Sequence, residues 1–153
     1  ALIHHPNQYR QEVLSGFYQR WHSDPLVLDK WFALQATSPQ LHALEDVVAL
    51  RAHPDFTLKN PNRVRSLVGS FAMRNPYGFH RSDGEGYRFL SDLILELDGM
   101  NPQVAARMVT PLTQWRRYES GRQQQMVAEL ERILSCDGLS KDLYEICSKG
   151  VMA

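Results

Sequence analysis

The sequence predicts an all-α fold built from antiparallel helix pairs, stacked into a superhelix in the manner of HEAT and armadillo repeats. Three observations carry this expectation. Apolar residues recur at helical spacing along most of the chain, with no strand-like alternation and no hairpin signal. Five polar residues, Asp24, Ser38, Asn60, Asn75 and Asn101, stand directly before a proline. Each such pair is a helix start, because the side chain can accept from free N–H groups of the first turn and proline needs no donor there. Finally, Asn60-Pro61-Asn62-Arg63-Val64-Arg65 and Asn101-Pro102-Gln103-Val104-Ala105-Ala106-Arg107 begin alike, 101 − 60 = 41 residues apart. That spacing is near the period of HEAT and armadillo helix pairs. Stacked pairs of this kind curve and present a concave face. A plain helical bundle is the alternative that two occurrences leave open.

Taken in order, the first helix runs from about Asn7 to His22, with Val13, Leu14, Phe17, Tyr18 and Trp21 as its stripe. Asp24-Pro25 opens the second. Its apolar residues, Leu28, Trp31 and Phe32 on one side and Val27 and Leu34 on another, suit a helix lying between neighbours. Ser38-Pro39 opens the third, with Leu41, Leu44, Val47 and Val48 inward. Residues 53–59 have no helical period and read as a connection. Asn60-Pro61 opens the fourth helix, whose stripe is Val64, Leu67, Val68 and Phe71, with Arg65, Gly69 and Ala72 on an adjacent side. Asn75-Pro76 begins a turn or short helix, and residues 78–86 form the longest loop, rich in turn residues.

Tyr87, Leu90, Ile94 and Leu97 mark a long helix ended by Gly99. The Asn101 helix carries Val104, Ala105, Met108, Val109 and Leu112 on its apolar side, and Pro111 should kink it by removing a donor. Gln103 and Arg107 lie four apart and share one side of that helix. Another helix starts near Glu119 and stops near Asp137-Gly138. Ser140 caps the last one, with Asp142 in its first turn.

Composition narrows the function. The chain has 153 residues, enough for one domain with a sizeable core. Lys plus Arg and Asp plus Glu number 17 each, and this zero net charge argues against a dedicated nucleic-acid binder. No apolar run approaches a membrane span, and no signal peptide is evident. The start at Ala1, almost at once helical, reads as a piece of something longer. The two cysteines, Cys136 and Cys147, form no C-x-x-C pair and read as buried thiols.

No complete catalytic set emerges. The six histidines, His4, His5, His22, His42, His53 and His80, include no H-E-x-x-H and no i, i+4 pair on a helix, so a zinc site has no support. His80 with Asp83 is the best acid–base pairing, and turn chemistry explains both more cheaply. Cys147 would need an electropositive, partly exposed site to act as a nucleophile, whereas Tyr144, Ile146 and Val151 around it suggest packing.

Several blocks together carry a resemblance: F-Y-Q-R-W (Phe17 to Trp21), V-L-D-K-W-F-A-L-Q-A-T-S-P (Val27 to Pro39), N-P-N-R-V-R-S-L-V-G-S-F-A (Asn60 to Ala72), N-P-Q-V-A-A-R (Asn101 to Arg107) and S-K-D-L-Y-E (Ser140 to Glu145). The chain resembles, over essentially its whole length, the C-terminal helical domain of the bacterial aminopeptidase N (alanyl aminopeptidase) branch of the gluzincin zinc metallo-aminopeptidases. The resemblance implies a single domain over residues 1–153, the fragment of a longer cytoplasmic hydrolase whose zinc, H-E-x-x-H and G-x-M-E-N motifs lie in a separate catalytic domain. Gly99-Met100-Asn101 lacks the carboxylate of the last motif. This chain itself is then expected to be inactive and to hold no cofactor.

The resemblance further implies that the domain caps the active site and limits access to short or unfolded peptides. Its expected partners are the parent's own catalytic domain and peptide substrates, with no nucleic acid and no membrane. Residue by residue, Gln103 and Arg107 would line the pocket for the first substrate side chain, and Arg65 would face the segment beyond the scissile bond. An independent helical-repeat scaffold that binds a protein partner on its concave face is the second reading. A small thiol enzyme using Cys147 is the third.

Overall fold

The computed structural model describes residues 8–40 and 42–152, and every described element is helical. The His4-His5 pair and Leu41 lie outside the described residues. The helices are α1 (Gln8–Trp21), α2 (Pro25–Ala36), α3 (Ala43–Arg51), α4 (Pro61–Val64), a π-helical turn (Arg65–Gly69) and α5 (Ser70–Arg74). They continue with α6 (Pro76–Phe79), α7 (Glu85–Asp98), α8 (Pro102–Met108), α9 (Thr110–Thr113), a 3-10 turn (Trp115–Arg117), α10 (Ser120–Leu134) and α11 (Lys141–Met152). They group into two compact units, residues 1–78 and 79–153.

In the first unit α2 is the hub, packed against α1, α3, α4, α5 and the π-helical turn. Leu28, Trp31, Phe32 and Ala36 are its buried side. Its other side is more open than a helix between neighbours requires, with Leu26 71% and Leu34 37% exposed. The stripe of the fourth segment is as expected: Val64, Leu67, Val68 and Phe71 are all fully buried.

Four of the five polar-proline pairs start helices as anticipated. Asp24 accepts from Leu26 N and Val27 N, Asn60 from Arg63 N at 3.1 Å, and Asn101 from Val104 N at 3.3 Å. Asn75 precedes α6 and accepts from Gly78 N at 3.2 Å. Ser38-Pro39 does not start α3, which begins at Ala43. The reason is partly non-local: the Ser38 carbonyl, which as an N-cap would accept from the residue four on, accepts instead from the buried Asn75 amide at 3.0 Å and from Gln40 N at 2.9 Å, and the same amide donates to the Ala36 carbonyl at the end of α2 at 2.9 Å. Val48, expected inward, is 48% exposed, while Leu44 and Val47 are buried.

Residues 53–60 form turns pinned by an aromatic and ionic cluster. The His53 ring packs edge-on against Tyr18, Trp31 and Phe32, and its Nδ1 accepts from Asp55 N at 3.0 Å. Arg63, only 6% exposed, donates through Nε to Asp29 Oδ1 at 2.5 Å and also to the Asp55 carbonyl. Tyr18 donates to the Asp55 carboxylate. A buried arginine is tolerable here because a carboxylate and a carbonyl both receive its donors.

In the second unit α7 lies against α8 and α10, and α11 against α8, α9 and α10. The α7 stripe of Tyr87, Leu90, Ile94 and Leu97 is fully buried. Gly99 follows α7 with φ −69°, so this helix does not end in a left-handed glycine cap; Met100 N and Asn101 N donate to the Leu97 carbonyl instead. Pro111 does interrupt its helix, which stops at Met108 and resumes as α9. Ser140 caps α11 by accepting from Leu143 N at 3.1 Å. The same hydroxyl donates to the buried Asp98 at 2.5 Å, which ties the end of α7 to the start of α11.

Candidate functional site

The candidate residues belong to the two Asn-Pro segments. In the first, the Asn60 cap and Pro61 set the helix direction, and the buried stripe fixes its rotation, so that Arg65 is turned to solvent. Arg65 Nη1 donates to Asn62 Oδ1 at 3.1 Å, one turn back. Sequence periodicity gives no sign that Arg65 opens a π-helical turn. The Arg65 carbonyl there accepts from Ser70 Oγ at 3.4 Å, five residues on. Single π turns inside α-helices occur often at functional sites.

In the second segment the Asn101 cap, with Val104, Ala105 and Met108 buried, turns Gln103 and Arg107 outward. Both are exposed, and neither side chain has a hydrogen-bond or ion-pair partner among the described residues. Other arginines are committed: Arg63 to Asp29, Arg81 to Asp83, Arg122 to Glu119, and Arg132 to Asp92 and Glu129. Gln103 and Arg107 share one short helix; Arg65 belongs to the other unit.

His80 and Asp83, the best acid–base pairing the sequence offers, are not paired, and Asp83 serves the turn as the cheaper reading has it. Asp83 is bound by Arg81 at 2.6 Å and accepts from Glu85 N at 3.1 Å; the backbone N–H leads in holding its carboxyl below the usual range. His80 Nδ1 instead meets the Tyr87 hydroxyl at 2.7 Å, and its ring stacks on Tyr118 at 4.3 Å between centroids. Arg122 Nε donates to the His80 carbonyl at 2.8 Å. Burial, with Arg122 adding to it, lowers the His80 pKa below the ordinary histidine value. Burial pushes the Tyr87 phenol up to about 12. The group is an internal brace for residues 80–84, and Tyr87, Tyr118 and Arg122 were not legible as its members because two of them lie about forty residues away.

Cys147 is fully buried, and burial together with Asp98 pushes its thiol up to about 12, which keeps it from acting as a thiolate near neutral pH. Among the described residues no group of three or more His, Cys, Asp or Glu gathers where a metal could be held. The described residues thus offer no ligand set that would fit zinc. No described helix is long and apolar enough to cross a membrane. What the two segments offer, each in its own unit, is exposed hydrogen-bonding side chains on capped helices.

Comparison with known proteins agrees with the helical-repeat architecture. Residues 1–152 match the family described as a domain of unknown function, DUF3458_C, ARM repeats. Three relatives bear the name aminopeptidase N. Those from Caulobacter vibrioides, Haemophilus influenzae and Escherichia coli are 50%, 49% and 46% identical over 142 residues, 93% of this chain. The chain spans only 16% of the length of each of them. The solved structure of Legionella pneumophila aminopeptidase A in complex with aspartic acid superimposes with a TM-score of 0.89 at 38% identity, covering 95% of this chain and 17% of that one. The chain thus belongs to the DUF3458_C family of ARM-repeat domains, and this domain is shared with aminopeptidases of the aminopeptidase N type.

Proposed function

We propose that the chain is the non-catalytic C-terminal domain of a cytoplasmic zinc aminopeptidase, where it closes over the active site and shapes the access of peptide substrates. The observation that carries this is the 46–50% identity to three aminopeptidases N across 93% of the chain. Zinc and the hydrolytic groups then belong to the parent's catalytic domain, which is also this domain's principal partner. No chemical step is assigned to the present residues.

Within this reading Gln103 and Arg107 line the pocket for the first substrate residue, and Arg65 faces the residues beyond the scissile bond. Their exposure supports these roles, as does the lack of any internal partner for Gln103 and Arg107. Arginine suits such a wall because its planar fork can hold a carbonyl or carboxylate in a fixed direction. A wall of this kind would act on substrate position and leave the bond-breaking groups unchanged.

The test is an aminopeptidase assay on the polypeptide encoded by the whole gene and on the 153-residue chain. The whole polypeptide should release N-terminal residues from peptides and lose activity on metal chelation. The isolated chain should release none. A gene product of about this length, or hydrolysis by the chain alone, would contradict the proposal.

A further inference from the structure

Arg65 and Arg107 are both exposed, but they are held differently. The Arg65 guanidinium donates through Nη1 to Asn62 Oδ1 at 3.1 Å, whereas the Arg107 side chain has no partner among the described residues. The difference follows from spacing. Arg65 stands three residues after Asn62, so the amide and the guanidinium meet on one side of the helix. The residue three before Arg107 is Val104, which is buried and has no side-chain acceptor.

Asn62 is itself anchored. Pro61 precedes it at the start of α4, and Arg63 follows it, buried and bonded to Asp29 and to the Asp55 carbonyl. The Asn62 carbonyl accepts from Ser66 Oγ at 2.8 Å and from Arg65 N. The backbone of Arg65 is anchored too, since its carbonyl accepts from Ser70 N and Ser70 Oγ across the π turn. An arginine held at both ends has lost part of its rotamer freedom before any ligand arrives. The Asn62 amide is neutral, so it directs the guanidinium fork without cancelling its charge. Arg63, Arg81, Arg122 and Arg132, by contrast, are bonded to carboxylates.

We propose that Asn62 is a positioning residue: it presets the Arg65 guanidinium, whose remaining donors hold a backbone carbonyl or carboxylate of the substrate beyond the scissile bond. The inference rests on the reading of Arg65 as part of the substrate wall and adds the side chain that orients it. Asn62 acts through Arg65 and not on the substrate itself. Its share is entropic, because without it the substrate must order the guanidinium. Ordering one long side chain costs about two- to tenfold in affinity.

The experiment is a double-mutant cycle of Asn62→Ala and Arg65→Ala in the polypeptide encoded by the whole gene. Steady-state kinetics are taken on a C-terminally amidated tripeptide and on a single-residue chromogenic substrate, with a melting curve for each variant. Asn62→Ala should raise KM for the tripeptide about two- to tenfold. That rise should exceed both the fall in kcat and the rise in KM for the chromogenic substrate. In the Arg65→Ala background the same substitution should add less than about twofold, since nothing remains to be oriented. Asn62→Asp keeps an acceptor at the same position and should return the tripeptide KM to within about twofold of the unsubstituted polypeptide. Tm should change little, because both side chains are exposed. If Arg65→Ala raises the tripeptide KM and Asn62→Ala does not, or if the two effects simply multiply, the positioning role is overturned while the substrate wall stands. A tripeptide loss that Asn62→Asp fails to reverse overturns it as well, as does a fall in Tm accompanied by equal losses on both substrates. If Arg65→Ala itself leaves the tripeptide kinetics unchanged, the substrate role of Arg65 fails and this inference falls with it.

Discussion

At the residue scale, three asparagines before prolines do different amounts of structural work. Asn60 and Asn101 are caps whose bonds close within three residues. Such local chemistry is legible in sequence, because cap, proline and apolar stripe all lie within one turn or two. Asn101→Ala should cost about 1 kcal/mol of stability, the usual value of a lost N-cap; an unchanged urea midpoint would deny the role. Asn75 has the same sequence signature but also donates to Ala36 and Ser38 carbonyls, 39 and 37 residues away. No local pattern reveals those bonds. They are also part of why Ser38-Pro39 fails to open α3. Asn75→Ala leaves the buried Ala36 carbonyl and the Gly78 N–H without their side-chain partner, at roughly 1–3 kcal/mol for each such group, while the Ser38 carbonyl keeps the Gln40 N–H. Equilibrium unfolding should therefore show a larger loss for Asn75→Ala than for Asn101→Ala, and equal losses would refute the argument.

At the scale of elements, the positions of most helices followed from periodicity, and their irregularities did not. Pro111 announced the break between α8 and α9, since a missing donor is a property of the residue itself. The π turn at Arg65–Gly69 was not announced, because one extra residue in a turn leaves the apolar stripe nearly in phase. Residues 78–86 read as an open loop, yet α7 starts at Glu85, and His80 is clamped by Tyr87, Tyr118 and Arg122.

This clamp gives a pH dependence with a defined sign. The folded His80 pKa lies below its ordinary value of 6.5, chiefly through burial. On acidification the unfolded chain takes up the proton first, so stability is fully present above about 6.5 and is lost as pH falls from there through the lower folded value. His80→Gln should flatten that part of the stability profile, measured by urea unfolding between pH 7 and 5. An equally steep profile in the variant would remove His80 as the cause.

At the scale of the molecule, the helical-repeat class was legible from the two Asn-Pro segments, and the family match over residues 1–152 agrees with it. Among the described residues the candidates for chemistry are spent otherwise: His80 on Tyr87, Asp83 on Arg81, Cys147 in the core. The candidate positions Arg65, Gln103 and Arg107 came from resemblance, since an exposed arginine on a helix looks the same in sequence whether it meets water or a ligand. Their exposure, and the absence of described partners for Gln103 and Arg107, are the structural facts that make them worth substituting.

The most direct measurement of the central claim is steady-state kinetics of Arg107→Ala in the polypeptide encoded by the whole gene, on short peptides and on a single-residue chromogenic substrate, with a melting curve alongside. A substrate-positioning wall predicts that KM rises more than kcat falls, with Tm nearly unchanged because the exposed side chain has no partner among the described residues. Unaltered KM and kcat on both substrates, or a loss confined to Tm, would contradict it.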